Sequence, residues 1–207
     1  MAELTFYTNP QSRGRIARWM LEEVGAPYRT VALDYATGMR GDDYRAINPM
    51  AKVPAIRHGD QVVTECPAIC AYLADAFPEA GLAPAAADRA RYYRWLFFAA
   101  GPIEAAATNQ AMGMAPTAEQ ERMAGYGNLA RAAAVLDEAV AASPFIAGDR
   151  FTAADVYVGA QIGWLTRFKL LPATPNFTDY LARMEARAAY IRAAEKDDAL
   201  VAEMAAG

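Results

Sequence analysis

Histidine is all but missing from this chain of 207 residues: His58 stands alone, in a hairpin turn between two short β-rich runs. A lone turn histidine is expected to be solvated, and it leaves no partners for a Ser-His-Asp or Cys-His triad or for a histidine-rich metal site. Cysteine is almost as scarce. Cys66 and Cys70 lie one turn apart on what reads as a single helix. They form neither a disulfide framework nor a CxxC redox pair, and reducing surroundings suit them. Basic charge is also short. The 20 Lys+Arg against 24 Asp+Glu leave a net charge of −4, and the basic residues are scattered rather than striped, which argues against a nucleic-acid partner. No segment approaches the ~20 apolar residues of a membrane span. The N-terminus reads as a strand, not as a basic stretch followed by an apolar run and a cleavage site. A soluble cytoplasmic protein, not bound to a membrane, is therefore expected.

Apolar residues, by contrast, are plentiful: at 55% they are ample for burying a core. Leu4 to Tyr7 reads as a strand. Ile16, Met20 and Val24 then recur at helical spacing until Gly25 and Pro27 stop them, and Tyr28 to Leu33 is a second apolar run. Strand, helix and strand with such short connections predict a βαβ unit with parallel strands. The polar "GMRGDDYRAINP" leads into "KVPAIRHGDQVVTE", a hairpin signal around Gly59-Asp60, and "CPAICAYLADAFP" predicts a helix ending at Phe77 before Pro78. Beyond Pro78 the composition turns Ala-rich and helical. The predicted division is residues 1–78 for an α/β domain, 79–87 for an Ala/Pro/Gly linker and 88–207 for an all-helical domain. In the latter, Tyr92, Trp95, Ala99 and Ile103 make one helical face, and Tyr126, Leu129, Ala133, Leu136 and Val140 make another. Ala154 to Phe168 is apolar nearly all round and predicts a central buried helix. Thr152-Ala153-Ala154-Asp155 ahead of it has the form of a capping box, worth on the order of 1 kcal/mol to folding.

Several stretches carry chemistry. "NPQSR", between a strand and a helix, presents hydroxyl and cationic groups at a helix start, where free N–H groups and the dipole favour an anion. Glu65-Cys66 opens another helix; there, backbone N–H groups can meet a carboxylate, and an acidic side chain can hold an ammonium. At Val53-Pro54 a proline opening a strand leaves the preceding backbone free to pair outward.

Together "NPQSRGRIARWMLEEVGAPY", "NPMAKVPAI", "TECPAICAYLADAFP" and "FIAGDRFTAADV" resemble the cytosolic glutathione transferases over nearly the whole chain. The resemblance implies a thioredoxin-like domain of order β-α-β-α-β-β-α that binds glutathione as co-substrate. It also implies an all-α domain supplying the pocket for a small electrophile, and a homodimer. It implies a cis peptide at Val53-Pro54, with the Val53 backbone pairing with the cysteinyl unit of glutathione like an added strand. Glu65 and Cys66 would take the γ-glutamyl end and Lys52 the glycyl carboxylate. The family usually has serine where this chain has Cys66; a thiol is a weak donor, so the backbone amide carries more of the contact. The sulfur would face the turn before the first helix. Lowering a thiol of pKa ~8.5 by ~2 units requires about 2.7 kcal/mol. A hydroxyl donating to the thiolate supplies roughly 1.5–3 kcal/mol and a helix terminus about 0.3–1. No metal is needed. Family classes use Tyr, Ser or Cys for this donor. Ser12 stands in the Pro-x-Ser context of the serine-type classes and Tyr7 near the tyrosine of others, with Asn9 and Arg13 as further donors to the sulfur. The bacterial class with a catalytic cysteine here pairs it with a histidine on the first long helix, and this chain has neither. Phe98, Asn109, Met112 and Met114 are candidates for the electrophile pocket, methionine being adaptable in shape. Two other functions fit the same fold: a glutathione-dependent thiol reductase or peroxidase, and a non-catalytic interaction module.

Overall fold

The computed structural model describes residues 2–206. These fall into two compact units, Met1–Leu82 with Ala186–Gly207, and Ala83–Glu185.

The first unit is built on a four-stranded mixed sheet in the order β2-β1-β3-β4. Strand β1 (Leu4–Thr8) runs parallel to β2 (Arg29–Ala32), with Phe6 opposite Thr30, and antiparallel to β3 (Ala55–His58), with Phe6 opposite Ile56. The parallel pair requires a crossover, which α1 (Gly14–Val24) supplies; Gly25 then ends the helix at φ 68°, a left-handed conformation suited to glycine. A 3-10 turn at Gly38–Arg40 and the single turn α2 (Asp42–Arg45) precede β3, which folds back into β4 (Gln61–Thr64) before α3 (Cys66–Ala76). This is the thioredoxin-like order that the resemblance implies. Strand alternation sends Phe6 towards α1, where the Arg18 guanidinium lies 5.1 Å from its ring, and Tyr7 towards Tyr44 of α2, with ring centroids 5.6 Å apart. His58 differs from the solvated turn residue expected. It ends β3, with Nδ1 3.0 Å from the Tyr72 hydroxyl and its ring stacked on Phe77, because the hairpin lies against α3.

Residues 88–207 do not stay together as the composition suggests. The last helix, α9 (Ala188–Ala206), packs along α1 within the sheet unit. Ion pairs and apolar contacts line this seam: α1 carries Arg18, Glu22 and Glu23 on its flank, and α9 with its lead-in supplies their complements. Arg18 Nε donates to Asp197 Oδ1 at 2.7 Å, with both side chains almost fully buried. Arg187 forks onto the Glu23 carboxylate (2.6 and 2.7 Å), and the Glu22 carboxylate accepts from Tyr28, Lys196 and Arg192. Trp19 meets Tyr190 edge to face at 5.0 Å.

The second unit is all helical. Helix α4 (Ala90–Phe98) passes through a wide turn at Ala99–Ile103, which contains Pro102, into α5 (Glu104–Ala111). A π-type turn suits a residue with no N–H to give the ladder. The predicted face of Tyr92, Trp95, Ala99 and Ile103 is buried throughout. The next predicted face starts later than the spacing suggests. Helix α6 (Leu129–Ala141) begins behind Asn128, whose Oδ1 accepts the Arg131 N–H, and Tyr126 stays outside the helix to accept a bond from Asn109 Nδ2 at 2.7 Å. Helix α7 (Ala153–Arg167) is the buried one, packed on α4 and on α8 (Pro175–Glu185), and the Thr152–Asp155 capping box is present. No helix of the described residues is long and apolar enough to cross a membrane.

Candidate functional site

The turn ahead of α1 is tied by its own side chains. Asn9 is buried; its Nδ2 donates to Leu33 O (2.9 Å) and its Oδ1 accepts from the Gln11 N–H (2.9 Å), so both ends of the amide are engaged in holding the turn against β2 and its exit. Ser12 Oγ donates to the Asn9 carbonyl at 2.6 Å and accepts from the Gly14 N–H at 2.9 Å. The same carbonyl also accepts from the Ser12 N–H at 3.1 Å. The helix starts at Gly14, with the exposed Arg13 at its N-cap. Gly14 is required for space: a Cβ there would stand 2.0 Å from Thr8 Oγ1. That threonine hydroxyl is buried without a hydrogen-bond partner among the described residues.

A second helix start lies beside the first. The Cys66 thiol donates to the Arg13 carbonyl (3.4 Å), joining the N-terminus of α3 to that of α1. Glu65, the residue before α3, is exposed and holds φ 64°, ψ 119°, a conformation that costs a non-glycine residue on the order of 1–3 kcal/mol and is concentrated at functional sites. Cys70 is fully buried, and burial pushes its thiol well above the ordinary range, leaving it a packing residue.

The Val53-Pro54 peptide is cis. The loop before it is clamped at the Lys52 carbonyl, which accepts from the Tyr44 hydroxyl (2.6 Å) and from Asn48 Nδ2 (2.7 Å), while the Lys52 side chain is exposed. Burial pushes the Tyr44 phenol up to about 12, so it remains a donor at neutral pH. Asn48 also accepts the Met50 N–H through Oδ1 at 3.1 Å. Spacing alone did not point to Tyr44 or Asn48 as supports of this loop, although Asn-Pro is a turn signal that could have marked the second. Asn48→Ala is expected to lower stability by about 2 kcal/mol, because one buried donor–acceptor pair and one turn bond vanish together. It is also expected to speed amide exchange at Val53; a change below about 0.5 kcal/mol in urea unfolding would mean Tyr44 holds the loop alone.

Tyr7 takes no part in the hydrogen bonds that tie the Ser12 hydroxyl into the turn. Tyr7 packs with Tyr44, Leu33, Ile47 and Val53 against the Met39–Ala55 cluster and lines a cleft of about 700 Å³ on the α2 side of the sheet. Phe98, Asn109, Met112 and Met114 all lie in the helical unit. Phe98 meets Trp95 edge to face, Asn109 is bonded to Tyr126, and Met112 and Met114 are exposed just after α5. Among the described residues, no group of three or more His, Cys, Asp or Glu is placed to hold a metal ion.

A family model described as the glutathione S-transferase N-terminal domain matches residues 13–76, and one described as the C-terminal domain matches 94–188. Glutathione S-transferase GstA of Escherichia coli O157:H7 is 31% identical over 189 residues, covering 88% of this chain and 90% of its own length. The chain belongs to the glutathione S-transferase family. Another relative, glutathione S-transferase 3 of Zea mays, is 32% identical over 169 residues, covering 75% of each chain. Among solved structures, a sphingomonad glutathione S-transferase complexed with glutathione superposes with a TM-score of 0.76 at 28% identity, over 94% of this chain and 98% of that one. The protein is thus a glutathione transferase, an enzyme whose sheet unit carries the two adjoining helix starts.

Proposed function

We propose that this transferase holds glutathione across the starts of α1 and α3, ionises its thiol at the Asn9–Arg13 turn, and adds the sulfur to a small apolar electrophile. The observation that carries the reading is the Cys66–Arg13 contact, which sets two helix N-termini side by side. Each favours an anion, so one suits the thiolate and the other the γ-glutamyl carboxylate. Glu65 takes the ammonium, the Val53 backbone beside Pro54 takes the cysteinyl unit, and Lys52 takes the glycyl carboxylate. The sphingomonad relative is complexed with glutathione, which supports this choice of ligand.

Ser12 is the activating hydroxyl in this reading. Rotation about its Cβ–Oγ bond turns its proton from the Asn9 carbonyl to the sulfur, while that carbonyl keeps the Ser12 N–H and Oγ keeps the Gly14 N–H. The swap therefore strands no buried group. Tyr7 is the weaker candidate, since its ring packs on Tyr44 towards the α2 side. Asn9 acts by shaping the turn and Arg13 adds positive charge beside it. The thiol proton leaves to solvent, and the thiolate lone pair forms the bond to the electrophilic carbon as a π bond of that carbon, or its bond to a leaving group, breaks; the displaced pair is protonated from solvent or departs with the leaving anion, and no metal takes part. Phe98, Asn109, Met112 and Met114 are proposed to line the electrophile's pocket. The reading includes a cytoplasmic homodimer, for which the exposed Phe97 and Tyr93 on α4 offer apolar surface.

The test is Ser12→Ala. Bound glutathione should show a thiolate absorbance near neutral pH in the native enzyme and lose it in the variant, with kcat/KM down roughly tenfold or more. Glutathione that binds the native enzyme without any thiolate band would refute the mechanism.

A further inference from the structure

Arg15 sits in the first turn of α1 and reaches in two directions. Its Nε donates to the Pro10 carbonyl at 2.7 Å, and its Nη2 donates to Asp198 Oδ1 on α9, also at 2.7 Å. The neighbouring carbonyls of the turn are held differently. Asn9 O accepts from Ser12, Gln11 O from the Tyr35 hydroxyl at 3.2 Å, Ser12 O from the Arg15 N–H, and Arg13 O from the Ile16 N–H and the Cys66 thiol. Pro10 has no N–H, so its carbonyl is the one polar handle on that residue. The group that grips it is a rigid planar fork whose other arm is fixed to the C-terminal helix.

We propose that Arg15 is a positioning residue for the sulfur site, through which α9 sets the orientation of the Asn9–Arg13 turn and of the Ser12 hydroxyl. This rests on the proposed function above. Arg15 does not touch the sulfur in this scheme; it acts through the turn. Asp198 is largely exposed, so its ion pair adds little to global stability, whereas the bond to Pro10 is charge-assisted and local. The consequence belongs in the ionisation of the bound thiol rather than in the melting temperature.

Three variants test it: Arg15→Met, which removes both arms, Arg15→Lys, which keeps the charge but loses the fork, and Asp198→Ala, which removes the α9 anchor. The measurements are the thiolate titration of bound glutathione by ultraviolet absorbance, kcat and KM for glutathione, and amide hydrogen exchange at Gln11 to Gly14. Arg15→Met is expected to raise the apparent thiol pKa by roughly one unit and to lower kcat at neutral pH roughly tenfold, with KM changed less than about threefold. Arg15→Lys and Asp198→Ala should move the same way by less. A folded Arg15→Met protein with the native thiol pKa overturns the proposal. Should Arg15→Met not fold, Asp198→Ala decides: a raised thiol pKa supports the proposal and a native one overturns it. Should the native enzyme itself form no thiolate, the proposed function fails on its own account, and exchange at Gln11 to Gly14 then decides Arg15. Faster exchange in Arg15→Met or, if that does not fold, in Asp198→Ala supports the coupling to α9, and unchanged exchange refutes it.

Discussion

Asp155→Ala is expected to lower the unfolding free energy by at least about 3 kcal/mol, which is a large share of the ~5–15 kcal/mol typical of a native protein. The carboxylate lies at the buried start of α7 and gathers four donors. Oδ1 accepts the Ile146 N–H at 2.7 Å and the Tyr180 hydroxyl at 2.9 Å, and Oδ2 accepts the Thr152 N–H and hydroxyl, each at 2.9 Å. Burial pushes this carboxyl up, while the donors from Ile146, Tyr180 and Thr152 pull it back towards the charged form. Alanine would leave the two backbone N–H groups and the Tyr180 hydroxyl without acceptors in a dry site. Each such group costs about 1–3 kcal/mol. Urea unfolding measures the loss, and hydrogen exchange should show Ile146 and Thr152 unprotected. A loss under about 1 kcal/mol would mean that water fills the place of the carboxylate.

The Arg18–Asp197 pair should behave in a less intuitive way. Either partner removed alone, as Arg18→Met or Asp197→Leu, strands a buried charge and is expected to cost about 3–5 kcal/mol. Burial opposes the charge on Arg18, and Asp197 with a smaller share from Tyr28 more than offsets it, whereas at Asp197 burial outweighs Arg18 and pushes the carboxyl up. The pair is nevertheless incomplete. Asp197 Oδ2 is buried with no hydrogen-bond partner among the described residues, and Arg18 Nη1 makes only long bonds, 3.3 Å, to Tyr28 and Thr30. The double variant Arg18→Met/Asp197→Leu is therefore expected to lie within about 1–2 kcal/mol of the native protein, more stable than either single change. A double-mutant cycle from urea unfolding reads the coupling directly. Additive single effects would show that the two helices are held by packing around Trp19 and Tyr190 instead.

The elements legible in the sequence were those whose signal is local. Leu4 to Tyr7, the helix stopped at Gly25, the hairpin at Gly59-Asp60 and the buried helix behind Thr152 all declare themselves by spacing and by turn chemistry. The place of α9 does not. Its partners on α1 lie far off in the chain, and the charged run "EKDD" looks the same on a solvated face as on one that meets Arg15, Arg18 and Glu22. The surroundings of His58 are hidden for a related reason, since Tyr72 and Phe77 reach it through the packing of α3 on the hairpin. In the candidate site, Ser12, Glu65 and Cys66 stood out because each marks a helix start. Arg15 and Asn48 act on carbonyls, and no residue type announces which carbonyl needs a donor.

The return of α9 to α1 also orders events while the chain is being made. Arg18 leaves the ribosome 179 residues ahead of the Asp197 it must meet, so the charged flank of α1 stays uncovered while those residues are made. The helical unit is contiguous from Ala83 to Glu185. The part of the enzyme that emerges first thus depends on residues made after the whole of the helical unit, a closure of high sequence separation.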